Sequence, residues 1–158
     1  MQRNPITPAG HARLYAELMH AKRVERPHIV QQIEEARAHG DLKENAEYHT
    51  AKDKQGMIEA RIKWHEHILA TAEVIDIMEM PQTGLVIFGT TVTLLDLDTD
   101  EEVTYQIVSD YESDAKHGRI SYASPIGRAI IGKREGDEVV VVTPKGTRTL
   151  EISEVEYK

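Results

Sequence analysis

Gly40-Asp41-Leu42-Lys43-Glu44-Asn45-Ala46-Glu47-Tyr48-His49 ends one helical pattern and begins another, and its reading decides the fold. Gly40 stops the first pattern, because glycine readily adopts the left-handed backbone in which helices terminate. Asp41-Leu42-Lys43-Glu44 then offers an N-cap acceptor followed three residues later by Glu, a variant of the capping box, which predicts a second helix from Asp41 to about Glu73. Working back from Gly40, Leu14, Leu18 and Ala21, then Ile29, Ile33 and Ala36, recur at three- and four-residue steps. Thr7-Pro8 reads as the start of this first helix, with Thr7 as N-cap and Pro8 at the first helical position. Pro27 stands between the two apolar sets and predicts a kink.

Working forward, Ile58, Ile62, His65, Leu69 and Ala72 follow the four-three rhythm of a coiled-coil seam. Projected toward the turn, the seam takes in Gln55, Ala51, Tyr48 and Glu44, so the base of an antiparallel hairpin is apolar and its tip small and polar. Some thirty residues per arm make a rod roughly 45 Å long at ~1.5 Å per residue. Such a rod, ending in an acidic turn, can reach into a narrow cavity.

Near Met80-Pro81-Gln82-Thr83-Gly84 the chain changes character, from Ala, Glu, Lys and Arg to Val, Thr, Ile and Gly. This predicts a hairpin domain over 1–80 and a second domain over 81–158. In the second, Val86–Phe88 and Thr91–Leu97 read as strand, and Val103–Val108 resumes after Asp98-Thr99-Asp100-Glu101-Glu102. Glu138–Thr143 and Thr147–Ile152 flank Pro144-Lys145-Gly146, and Ser124-Pro125 opens a short helix through Ile131. The expected fold class is therefore α+β: an antiparallel helical hairpin followed by a small antiparallel sheet with one short helix.

Composition narrows the function. The chain has 158 residues, 40% of them hydrophobic, and no cysteine, which excludes disulfides, thiolate metal sites and a Cys nucleophile and suits the reducing cytoplasm. The run MQRNPITPAGHARLY lacks the apolar stretch of a signal peptide, and no segment approaches the ~20 apolar residues needed to span a bilayer. A formal net charge of −8 argues against a protein that coats nucleic acid, so any such contact must be local. Of 27 acidic residues, 13 precede Met80, against 11 of 19 basic ones, so the excess acid lies mainly in the second part. That distribution suits a basic protein partner, and equally a solvated surface.

Asp41 and Glu44 are the candidate catalytic and metal-binding pair. Three residues apart at a helix start, they can lie on the same side, about 5 to 6 Å apart at Cβ if both are helical, close enough to share a hard cation. Mg²⁺ demands six oxygens and keeps its waters, so two carboxylates at an exposed tip are too few for a site of their own. A phosphodiester and a partner enzyme's carboxylates would complete it. The plain alternative is an ordinary N-cap with its capping-box partner, and both readings can hold together. Arg37, Lys43, Lys52 and Lys54 are placed to hold phosphates by charge, or to form a solvated face. Tyr48 can stack on a base, but its place on the seam assigns it to packing. His65 and His67, two apart, face different sides of a helix, so with His49 they make no metal site. Gly127, Gly132 and Gly136 do not match a dinucleotide fingerprint and read as turns.

GDLKENAEYH after a long amphipathic helix resembles the tip of the Gre family of bacterial transcript-cleavage factors. Ser124-Pro125-Ile126-Gly127-Arg128-Ala129-Ile130-Ile131-Gly132-Lys133-Arg134-Glu135-Gly136-Asp137 resembles that family's C-terminal motif, and VIFGTTVTLLDLDTDEE, residues 86–102, follows its pattern between them. The resemblance spans essentially the whole chain. Leu42-Lys43, the acidic charge and the modest basic patch favour its GreA-type branch.

The resemblance implies a C-terminal domain similar to the FKBP-type fold, docking on bacterial RNA polymerase through Ser124, Pro125 and Ile126. The hairpin would enter the secondary channel of a backtracked enzyme. There Asp41 and Glu44 would help hold a second Mg²⁺ and the attacking water, bound jointly with the polymerase, while Arg37 and Lys52 contact the extruded RNA 3′ end. Lys52, where Arg is also used, keeps the charge and loses the bidentate fork. The factor would be a monomer without a complete active site of its own. Rival readings are a channel-binding inhibitor and a free-standing prolyl isomerase; against the latter, a single Phe and one Trp in the hairpin leave little aromatic lining for a pocket.

Overall fold

The computed structural model describes residues 3–40 and 45–158. The chain forms two compact units, one of residues 11–72 and one in which residues 3–10 join 73–158.

The first unit is a helical hairpin. Its outgoing arm comprises α1 (Pro8–His20), a π-helical segment (Ala21–Glu25) and α2 (Arg26–Arg37); its returning arm is α3 (Ala46–Thr71). Pro8 opens α1 as expected, and Gly10 N–H donates to the Thr7 hydroxyl at 3.0 Å, completing the cap. Where a kink was expected at Pro27, the arm contains a wide π turn. Gly40 lies beyond α2 with φ of 107°, the left-handed backbone that ends helices.

The returning helix begins at Ala46, five residues after the expected start, with Asn45 as its N-cap. Asp41 and Glu44, proposed as the capping pair, lie outside the described residues. At 26 residues α3 runs about 39 Å. Leu18, Ala21 and Ile62 form one seam cluster with Met19, Ile58 and Leu69 at its edge. Ile29, Ile33 and Ala51 form a second with Tyr48 and Ile58.

Ion pairs line the flanks. Arg26 grips Glu59 bidentately at 2.7 and 2.9 Å, Lys22 meets Glu66 at 2.7 Å, and Arg61 meets Glu25 at 3.1 Å. The Arg26 hydrogen bond holds the Glu59 carboxyl below its usual range, and the Arg26 guanidinium rises correspondingly. These pairs are solvated, so their weight lies in register more than in stability.

The second unit carries a five-stranded sheet in the order β5-β4-β3-β7-β6. Its strands are β3 (Thr91–Asp96), β4 (Glu102–Val108), β5 (Arg119–Ser121), β6 (Glu138–Thr143) and β7 (Gly146–Glu156), with α4 (Pro125–Ile130) between β5 and β6. The pairs are antiparallel except β4 with β5, which are parallel. β5 is too short to alternate visibly in sequence. Val86–Phe88, expected as strand, instead runs along the loop after α4: Val86 N–H donates to the Lys133 carbonyl and Gly132 N–H to the Val86 carbonyl. The core gathers Val86, Val92, Leu94, Ile107, Ile130, Leu150 and Ile152, all fully buried. A two-stranded sheet of β1 (Asn4–Ile6) and β2 (Ala72–Val74), not foreseen from sequence, brings the N-terminal segment onto this unit, where Ile75 N–H donates to the Ile6 carbonyl at 2.9 Å.

Candidate functional site

At the tip of the hairpin the two arms are joined by one side chain. Asn45 Oδ1 accepts the Tyr48 N–H at 3.0 Å, capping α3, while its Nδ2 donates to the Ala36 carbonyl at 2.6 Å in the last turn of α2. A helix C-terminus and a helix N-terminus each leave backbone groups unpaired. Asn45 satisfies one of each, because an amide carries both an acceptor and a donor. The sequence places Asp41 and Glu44 between Gly40 and this anchor. Asn45 escaped the reading above because Asp41 offered the more familiar capping pattern; its own place just before a helical run was the available signal.

Arg37, the last residue of α2, lies with its guanidinium 5.9 Å from the centre of the Tyr48 ring. Tyr48 is half-buried against the Ile29, Ile33 and Ala51 cluster, and His49 meets its ring edge-on at 5.5 Å between centroids. Lys52 stands one turn beyond Tyr48 on the same side of α3, exposed, with Nζ donating to Gln55 Oε1 at 3.1 Å. Arg37, Tyr48 and Lys52 thus share one flank, with the Arg37 guanidinium over the aromatic ring. The other flank holds an open groove of about 390 Å³ whose floor includes Ala36, Ala46 and Ala51 and whose rim carries Glu35, Glu47 and Lys54. Among the described residues no group of three His, Cys, Asp or Glu side chains could hold a metal ion.

The third set of sequence-assigned residues begins α4. The Ser124 hydroxyl donates to the Ser121 carbonyl at 2.6 Å and accepts the Gly127 N–H at 3.1 Å, capping the helix. Gly127 must remain glycine, since a Cβ there would stand 2.3 Å from the Ser121 carbonyl oxygen. Ile126 packs on the sheet core, and Pro125 is exposed at the first helical turn. Two of these three residues therefore have structural tasks, and Pro125 offers the free surface.

A helical hairpin with a polar tip, followed by an antiparallel-rich sheet unit, is a two-part architecture, and family models match both parts in order. The model described as "Transcription elongation factor, N-terminal" covers residues 4–74, and "Transcription elongation factor, GreA/GreB, C-term" covers 81–157. Together they define the class as a two-part transcription elongation factor. The chain is 54% identical over 156 residues to the transcription elongation factor GreA of Francisella philomiragia subsp. philomiragia, covering 99% of this chain and 98% of that one. The GreA of Francisella tularensis subsp. novicida matches equally, at 54% with the same coverage. Among solved structures, GreA factor homolog 1 of Thermus thermophilus shares 28% identity over 98% of this chain and 99% of its own, with a TM-score of 0.44. The chain belongs to the GreA/GreB family of transcription elongation factors. No helix among the described residues is long and apolar enough to cross a membrane.

Proposed function

We propose that the hairpin enters the secondary channel of a backtracked bacterial RNA polymerase and stimulates that enzyme's own Mg²⁺-dependent cleavage of the RNA 3′ end. Asp41 and Glu44 act in trans, supplying ligands to a second Mg²⁺ and orienting the attacking water, while the polymerase holds the first metal and does most of the chemistry. The observation that carries this reading is the anchoring at Asn45, which ties together the helix ends flanking the stretch where the sequence places both carboxylates. Two carboxylates in a stretch so flanked can raise metal occupancy in an existing site without forming a complete site of their own. The factor is accordingly a cofactor-like protein and not a hydrolase in isolation.

Arg37 and Lys52 hold phosphates of the extruded RNA on the Tyr48 flank by charge, without reading sequence. Ser124, Pro125 and Ile126 form the docking point on polymerase, Pro125 making the contact and its neighbours shaping it. The protein works as a monomer in the cytoplasm, where its partner resides.

The test uses a stalled, backtracked polymerase carrying 3′-extended, 5′-labelled RNA with Mg²⁺. The native protein is expected to speed release of a short 3′ fragment, and Asp41→Ala and Glu44→Ala to lose that effect while still binding polymerase. Unchanged cleavage by both variants would remove the tip from the mechanism. Slower RNA synthesis without cleavage by the native protein would make it an inhibitor instead.

A further inference from the structure

The buried positions of the outgoing arm form one pattern written twice: Leu14, Leu18 and Ala21 recur fifteen residues later as Ile29, Ile33 and Ala36. Fifteen is two heptads plus one. The returning helix keeps strict heptads, with Tyr48, Gln55, Ile62 and Leu69 seven apart and Ala51, Ile58 and His65 likewise. One arm therefore carries a residue more than the repeat of its partner allows. In an unbroken α-helix that residue would rotate Ile29, Ile33 and Ala36 by about 100° away from the seam. Yet Ile29 and Ile33 pack on Ala51 and Tyr48, just as Leu18 and Ala21 pack on Ile62.

The extra residue is absorbed between the two sets, in the π segment Ala21–Glu25. Its closing bond runs from Arg26 N–H to the Ala21 carbonyl, five residues back where an α-helix would reach four. Val24, 53% exposed, lies in this wide turn. Pro27 accounts for the position. It has no N–H to donate, and in regular α geometry its ring would strike the Arg23 carbonyl; a widened turn moves that carbonyl aside. Within the segment Lys22 and Glu25, and just beyond it Arg26, are fastened to Glu66, Arg61 and Glu59 of α3.

We infer that the π segment and Pro27 are a matched phase-correcting device, the bulge removing one residue from the seam count and the proline holding the bulge at that point. It keeps the tip-side half of the outgoing arm in register, and with it Arg37 over the Tyr48 ring.

The test is a thermal melt of the full-length protein, followed by helical circular dichroism, with amide exchange read across residues 21–28. Deleting Val24 alone forces Pro27 into a regular helix and should lower Tm by roughly 10 °C. Deleting Val24 together with Pro27→Ala leaves two clean heptads and should restore Tm to within about 3 °C of native, with slower exchange in the segment. Deleting the exposed Gln31 in the Pro27→Ala background removes a residue on the wrong side of the bulge and should lower Tm by roughly 5 °C or more, since Ile33 and Ala36 leave the seam if the bulge stays and Ile29 leaves it if the bulge closes. Pro27→Ala alone should fold and melt no lower than native. If the Val24 and Gln31 deletions melt alike in the Pro27→Ala background, the phase argument fails. If Pro27→Ala does not rescue the Val24 deletion, or that deletion alone melts like native, the proline does not hold the bulge.

Discussion

Asp96 shows how one carboxylate organises a turn. It is nearly buried at the end of β3, where its Oδ1 accepts the Asp98 N–H at 2.9 Å and the Thr99 N–H at 3.3 Å, and its Oδ2 meets Arg148 Nε at 3.1 Å. These donors, the Asp98 amide foremost, hold its carboxyl below the ordinary aspartate range despite burial pushing the other way. A folded-state pKa below the unfolded one means that the stabilisation is fully present above the unfolded value and is lost as pH falls through the folded one. The urea-denaturation gap between native protein and Asp96→Asn should therefore be constant near neutrality and close as pH drops below about 4. A gap that does not change with pH would show that the carboxylate charge is not what stabilises the turn. The alternating pattern of β3 was readable in sequence, whereas the link to Arg148, 52 residues away, required the β3–β7 pairing.

At the scale of elements, Asn45 decides where α3 begins. Asp41 and Asn45 are both good N-caps in sequence; what favours Asn45 is the Ala36 carbonyl opposite it, a partner that exists only once α2 has folded back. Asn45→Ala should lower hairpin stability by about 1 to 2 kcal/mol, combining a lost cap with a lost cross-arm bond. Asn45→Asp, which keeps the acceptor and loses the donor to Ala36, should fall between. Urea unfolding followed by helical circular dichroism measures both, and an unshifted Asn45→Ala midpoint would show that the bonds carry no weight. The same distinction governs Pro27: sequence marked an irregularity there, but its form as a π turn depends on α3 demanding a continuous seam.

Across the whole molecule, the second unit is closed by a contact between residues 105 apart. Glu112, buried, accepts the Thr7 N–H and hydroxyl and the Ser109 N–H and hydroxyl. Thr7 also caps α1, and a Cβ on Gly10 would collide with the Glu112 carboxylate at 2.0 Å. Thr7→Val, equal in shape but without the hydroxyl, should cost about 1 to 3 kcal/mol by leaving a buried carboxylate and a helix N-terminus short of partners. Calorimetry would measure it, and a neutral result would mean that water or Ser109 replaces the donor. By itself the sequence determined the hairpin, the α+β class, the main strands and the stretch bearing Asp41 and Glu44, because period, turn residues and caps are local. Only the tertiary structure decided that Asn45 begins α3, that residues 3–10 belong with the second unit, that β5 runs parallel to β4, and that Ser124 and Ile126 are occupied in structural contacts. Each of those depends on a partner distant in sequence, and hydrogen-bond and packing partners of that kind are chosen only when the chain has closed on itself.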